Sequence, residues 1–177
     1  MPSTTENLDQ ITSPRTLRTA PLSAGSFAPF GRVMPLDAPA RVNEGRATRH
    51  DIATALARTE DDAVMVLSWF DLAATHGALS ITKLEQHPHS EQAFLPVAGA
   101  TALVLVARAG ADGKPDETTL TAFASTPGQA VIYRPGVWHA GLTALSEGGK
   151  FLMAMWRGAA PDTELIALDT PVAVTVS

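Results

Sequence analysis

The sequence predicts an all-β fold, a sandwich or a barrel. Two observations carry this. From Ala63 onward, short runs rich in β-branched, aromatic and large aliphatic residues follow one another closely, at 64–70, 79–82, 102–106, 120–123, 130–133 and 151–156. Turn formers separate them: Gly77, Pro96 with Gly99, Gly110 to Pro115, Pro127-Gly128 and Gly148-Gly149. Many short strands at close spacing indicate two packed sheets or a closed barrel. The sustained 3.6-residue periodicity of an amphipathic helix is missing.

Taken in order, residues 1–15 are polar, contain Ser13-Pro14 and read as a flexible tail. Residues 16–177 then form a single domain, a length sufficient for one sizeable core. Leu17 to Pro21 predicts a first short strand. Ser23 is suited to cap a short helix running through Phe30, which Gly31 would stop. The stretch from Arg41 to Arg49, with Asn43 and Gly45, is polar and turn-like, and a weak helical segment is expected from His50 to Ala57. Helix is therefore confined to short N-terminal segments, and the strands begin in earnest at Val64.

Composition narrows the function. The net charge of -5 and the lack of any basic run argue against a nucleic-acid partner, because a phosphate backbone is held by clustered Lys and Arg. Without cysteine there is no disulfide framework, thiolate nucleophile or Cys-type zinc site. The N-terminus lacks a basic region followed by an apolar stretch, so a secretory signal is not expected. No apolar run approaches the ~20 residues needed to span a bilayer. The expectation is a soluble cytoplasmic protein whose partner is a small molecule, with no membrane contact.

Three of the five histidines fall in two short segments, Glu85-Gln86-His87-Pro88-His89-Ser90-Glu91-Gln92 and Arg134-Pro135-Gly136-Val137-Trp138-His139. If Lys83 to His89 is one strand, alternation puts Lys83, Glu85, His87 and His89 on one face, with Leu84 and Gln86 on the other. Such a face is either solvated or the polar lining of a barrel mouth. His87-x-His89 puts two imidazoles within reach of one ion. Gln92 or Glu91 would add an oxygen ligand and His139 a third nitrogen. His50 and His76 read as surface residues, and Trp69, Trp138 and Trp156 as packing residues.

The two segments resemble the paired motifs of the cupin superfamily: His87, His89 and Gln92 with Gly99 beyond, then Gly136 and His139. Gln92 stands where cupins usually place glutamate. A closer resemblance, to the ureidoglycolate lyase family, covers most of the chain. It rests on Leu22 to Gly31, Asn43-x-Gly45 with Arg49-His50, Leu84-Glu85-Gln86-His87-Pro88, Gln92-Ala93-Phe94-Leu95-Pro96, Lys114-Pro115-Asp116, Gly128-Gln129, and Tyr133 with Val137-Trp138-His139.

The resemblance implies a cupin-type double-stranded β-helix, a jelly-roll barrel, assembled as a homodimer. It implies cleavage of ureidoglycolate to glyoxylate and urea in allantoin and purine breakdown. That reaction needs a base for the substrate hydroxyl, an acid for the departing urea and an anchor for the carboxylate. On that basis His87 and His139 are the expected proton-transfer groups, Glu85 their orienting partner and Gln92 a contact to the urea. Arg49 and Arg157 are the expected carboxylate clamps, with Asn43 and Tyr133 also at the substrate. Whether one divalent metal ion sits on His87, His89, Gln92 and His139 is left open. So are two other readings, a metal-dependent cupin acting on another small hydroxy or carbonyl acid, and a non-catalytic small-molecule-binding cupin.

Overall fold

The computed structural model describes residues 15–34, 39–51, 55–145 and 147–176. The expected tail therefore lies almost wholly outside the described residues. The first elements are β1 (Arg15–Arg18), β2 (Ala20–Pro21), α1 (Ala24–Phe27), β3 (Gly31–Met34), β4 (Ala40–Val42) and β5 (Ala47–Arg49). The long strands follow: β6 (Val64–Leu72), β7 (Leu79–Gln86), β8 (Gln92–Val97), β9 (Ala102–Ala109), β10 (Pro115–Ala124) and β11 (Ala130–Tyr133). Then come β12 (Trp138–His139), β13 (Thr143–Ala144), β14 (Gly149–Arg157) and β15 (Glu164–Thr175). The fold is all-β and barrel-like, as expected of a cupin.

Two sheets make the barrel. The larger runs β1-β15-β7-β12-β9-β10-β2, with β13 also paired to β9, and the smaller runs β3-β11-β8-β14-β6. Side chains from both sheets meet in the interior. Phe94, Val131, Tyr133, Phe151 and Met153 come from the smaller sheet, and Val104, Val106 and Phe123 from the larger. Phe27 of α1 seals one side, with edge-on contacts to Phe123 and Tyr133 at centroid distances of 5.8 and 6.0 Å. Each such aromatic pair contributes roughly 0.5–1.5 kcal/mol beyond its buried area. A second cluster, including Leu84, Leu105, Trp138 and Val172, belongs to the larger sheet and its turns. The central strand β9 is consequently buried on both faces.

Local chemistry accounts for most departures from the expected elements. Ser23 caps α1, its Oγ accepting from the Ser26 N–H at 3.2 Å, but the helix stops at Phe27 rather than Phe30. Pro29 has no N–H to continue the ladder. The turn-like stretch is a hairpin, β4 paired with β5, that joins neither main sheet. Its turn uses left-handed backbone at Asn43, Glu44 and Gly45. Of the helix expected over His50 to Ala57, residues 52–54 lie outside the described residues, and the described remainder is not helical. Pro96 sits inside β8 rather than in the turn. The strand expected from Lys83 to His89 ends at Gln86, ahead of Pro88, which cannot donate to a ladder.

Candidate active site

β7 and β12 are antiparallel neighbours, and their register sets Glu85 directly opposite His139. Side chains so placed lie close enough to interact, and Glu85 Oε1 is 3.6 Å from His139 Nε2. His87, two residues on and just past the strand end, brings its ring to 5.4 Å from that of His139. The facing sheet supplies Tyr133, whose ring stacks on His139 at 4.2 Å with an interplanar angle of 11°. It also supplies Gln92, the ladder partner of Tyr133. The site thus lies between the two sheets, with side chains from β7, β8, β11 and β12.

Each histidine has its tautomer fixed by a main-chain carbonyl. His139 Nδ1 donates to the Val137 carbonyl at 2.9 Å, and His87 Nδ1 donates to the Asp162 carbonyl at 2.5 Å. With the proton on Nδ1, Nε2 is the lone-pair nitrogen of each ring in its neutral form. Burial holds His139 down to about 4, opposed by the Val137 carbonyl and assisted by His87 nearby. His139 is therefore neutral at physiological pH, and its contact with Glu85 is not a charge pair. The lone pair of His139 Nε2 therefore faces Glu85 Oε1.

Among the described residues, potential ligand atoms of Glu85, His87 and His139 all lie within 4.8 Å of one another. His87 Nε2, His139 Nε2, Gln92 Oε1 and the Tyr133 hydroxyl are buried without a hydrogen-bond partner. Buried polar groups are ordinarily paired, so orphaned atoms in one cluster point to something polar that binds there. Burial, helped by the negative Glu85, raises the Tyr133 hydroxyl above its ordinary value, so it remains a proton donor. A cleft of about 330 Å³ opens beside the cluster and is lined by Glu85, Gln92, Lys83, Phe70, Phe94 and Leu165.

The family model described as ureidoglycolate lyase matches residues 14–175. The chain belongs to the ureidoglycolate lyase family. A relative from Agrobacterium fabrum is 40% identical over 164 residues, covering 92% of this chain and 97% of its own. The ureidoglycolate lyase of Mesorhizobium japonicum is 38% identical, covering 75% of this chain and 81% of its own. That of Pseudomonas fluorescens is 37% identical, with 78% and 83% covered.

For this ureidoglycolate lyase family member, the structure brings together Glu85, His87, Gln92, Tyr133 and His139. It does not bring in His89, whose ring lies 3.2 Å from Thr59 Oγ1 instead. The alternation that grouped it with His87 ends with β7. Glu91 is committed elsewhere, accepting from Arg32 at 2.7 Å and from the Ala57 N–H at 2.9 Å. Arg49 is exposed on the separate hairpin, paired with Asp51 at 3.2 Å, and Asn43 occupies the turn of that hairpin. Arg157 is exposed at the end of β14. None of these three lines the cleft. Sequence reasoning assigned no role to Lys83, although its alternation with Glu85 put it on the right face. Asp162 was missed altogether, because a carbonyl that serves a distant histidine leaves no local signal.

Proposed function

We propose that the protein is a ureidoglycolate lyase releasing glyoxylate and urea, with His87 as the proton-transfer group and His139, Glu85, Tyr133 and Gln92 holding the substrate. One observation carries the site assignment: potential ligand atoms of Glu85, His87 and His139 cluster within 4.8 Å, and the buried Nε2 of each ring has no hydrogen-bond partner. Ureidoglycolate bears a hydroxyl and an N–H on the same carbon, and these are the donors the cluster lacks. His87 Nε2 takes the hydroxyl proton, the oxygen's electrons form the carbonyl of glyoxylate, and the C–N bond breaks. The departing urea nitrogen takes up that proton from His87 Nε2–H. One proton leaves oxygen and one joins nitrogen, so no water is consumed. His139 is the poorer proton acceptor, because burial opposes its charged form. It orients the substrate, while Tyr133 and Gln92 supply a hydroxyl donor and an amide for the ureido group.

The donor set of two imidazole nitrogens and a carboxylate also fits a divalent transition metal. Glu85, His87 and His139 would hold such an ion, which would supply Lewis-acid pull on the hydroxyl. Activity that survives exhaustive dialysis against a chelator leaves proton transfer with His87. Lys83 is the cation lining the cleft and serves as the carboxylate anchor in place of Arg49 and Arg157.

The test is to incubate the protein with racemic ureidoglycolate and follow glyoxylate, urea and ammonia above spontaneous decay. Equimolar glyoxylate and urea are expected. Ammonia in place of urea, or no release, overturns the reading. Lys83→Met is expected to raise KM about tenfold with kcat nearly preserved, since removing binding shared by ground and transition states acts on KM. An unchanged KM puts the anchor elsewhere.

The proposal extends to a cytoplasmic homodimer acting in allantoin and purine breakdown. Growth of a deletion strain on allantoin as nitrogen source checks the pathway. The dimer reading rests on β6, the edge strand of the smaller sheet. Its outward residues Met65, Leu67 and Trp69 are 41%, 63% and 66% exposed. They continue into an apolar outer face with Leu152, Ala154 and Leu95. A long apolar edge strand is ordinarily covered, and a second copy covers it with a self-complementary surface. Leu67→Asp is expected to convert the dimer to monomer in light scattering, and a dimer that persists moves the interface off this face.

A further inference from the structure

Residues 162–164 answer residues 86–90 contact by contact. Glu164 Oε2 accepts from Gln86 Nε2 at 2.5 Å. The Asp162 carbonyl accepts from His87 Nδ1 at 2.5 Å, and Thr163 Oγ1 stands 3.4 Å from the same nitrogen. The Asp162 carboxylate accepts from two donors of the turn, the His89 N–H at 2.7 Å and the Ser90 hydroxyl at 2.5 Å. Ser90 is 1% exposed, so this hydroxyl–carboxylate bond is shielded from water.

The turn needs such a fastening. Residues 87–90 lie past the end of β7 and carry no sheet ladder, and Pro88 offers no N–H. The opposite side of the turn is held separately, by the Thr59 N–H to the His89 carbonyl at 2.9 Å and the Glu91 N–H to the Ala57 carbonyl at 2.9 Å. Those bonds, with the Gly136 N–H to the His87 carbonyl at 2.9 Å, hold main chain only. They do not touch the His87 ring.

We infer that Asp162 is a positioning residue of the reaction: its carboxylate fastens the turn after β7 so that its own carbonyl holds His87 Nδ1–H and leaves Nε2 as the basic atom. Hydrogen bonds to a charged carboxylate are shorter and stronger than those between neutral groups, which suits a clamp of only two bonds. Partners that fix the tautomer of a metal-ligating histidine in this way change affinity or activity by about 10–100-fold when mutated, and a basic histidine is expected to respond on the same scale. The inference rests on the proposed role of His87.

Asp162→Ala removes both clamp bonds while leaving a carbonyl at position 162. Asp162→Asn still accepts from the His89 N–H and can donate to Ser90. Kinetics on ureidoglycolate would be paired with ¹⁵N NMR of the His87 ring. Asp162→Ala is expected to lower kcat about 10–100-fold, with KM changed less than about threefold because substrate anchoring is untouched. Its His87 ring is expected to show a mixture of tautomers where the parent protein shows the Nδ1–H form alone. Asp162→Asn is expected to regain most of both. Wild-type kcat together with a single Nδ1–H tautomer in Asp162→Ala overturns the inference, as does a loss of thermal stability with neither readout moved. Should the alanine variant fail to fold, Ser90→Ala removes one clamp bond and is read in the same way. The NMR readout requires no turnover. A parent protein that releases no glyoxylate would fail the functional reading, while the tautomer comparison still decides the clamp.

Discussion

Replacing His87 by alanine is expected to lower kcat by about 10²–10⁴-fold, the contribution ordinarily made by one positioned general acid or base. The ring is buried, its Nδ1–H is held by the Asp162 carbonyl, and its Nε2 faces the cluster without a partner. The lone pair lost is therefore one already aimed into the Glu85–His139 cluster. His139 cannot substitute, because burial weakens it as a base and the Val137 carbonyl fixes its other nitrogen. The fold should survive, since His87 lies past the end of β7 and belongs to no ladder. Steady-state kinetics beside a circular dichroism spectrum of the variant make the check. Wild-type turnover by a folded His87→Ala protein would remove the central assignment.

Replacing Gly31 by alanine is expected to cost about 3 kcal/mol or more, near the upper end for single substitutions. Gly31 opens β3 and pairs with Tyr133 on β11. A Cβ at this position would fall 1.9 Å from the Ile132 carbonyl oxygen and 3.0 Å from the Phe27 ring. Neither obstacle is a flexible side-chain end. The first is main chain of β11, which pairs with β8 on its other side, and the second is a fully buried aromatic. Relief requires moving β3 away from β11, and Tyr133, stacked on His139, moves with it. The substitution should therefore depress both the urea midpoint and kcat, with the stability loss dominant. An unaltered midpoint would mean the close approach relaxes at no cost.

The strands that announced themselves in the sequence were those whose signal is local. Each of the runs at 64–70, 79–82, 102–106, 120–123, 130–133 and 151–156 lies within a strand. The longest strand, β15, gave no such signal. Its pattern is interrupted by Asp169 and Pro171. The structure absorbs them in a register shift between Ala167 and Val172, where the chain leaves and rejoins its pairing with β7. The site divides along the same line. Glu85, His87 and His139 were visible as residue types in short motifs. That Glu85 meets His139 depends on the register between β7 and β12, which no motif encodes. His89 was grouped with His87 by carrying alternation past Pro88. Arg49 was placed by resemblance alone, and nothing local states where a separate hairpin will lie.

The pairing of β1 with β15 is parallel and joins the two ends of the described chain, with the Thr175 hydroxyl reaching the Leu17 carbonyl across 158 residues of sequence. A ribosome makes these ends in order, at about 5–20 residues per second. The first strand therefore waits roughly 8–30 s for its partner. The same final stretch of synthesis delivers Asp162 and the strand that flanks β7. The nascent protein thus holds most of its barrel walls before it can close them, and His87 meets the carbonyl that orients it among the last events of biogenesis.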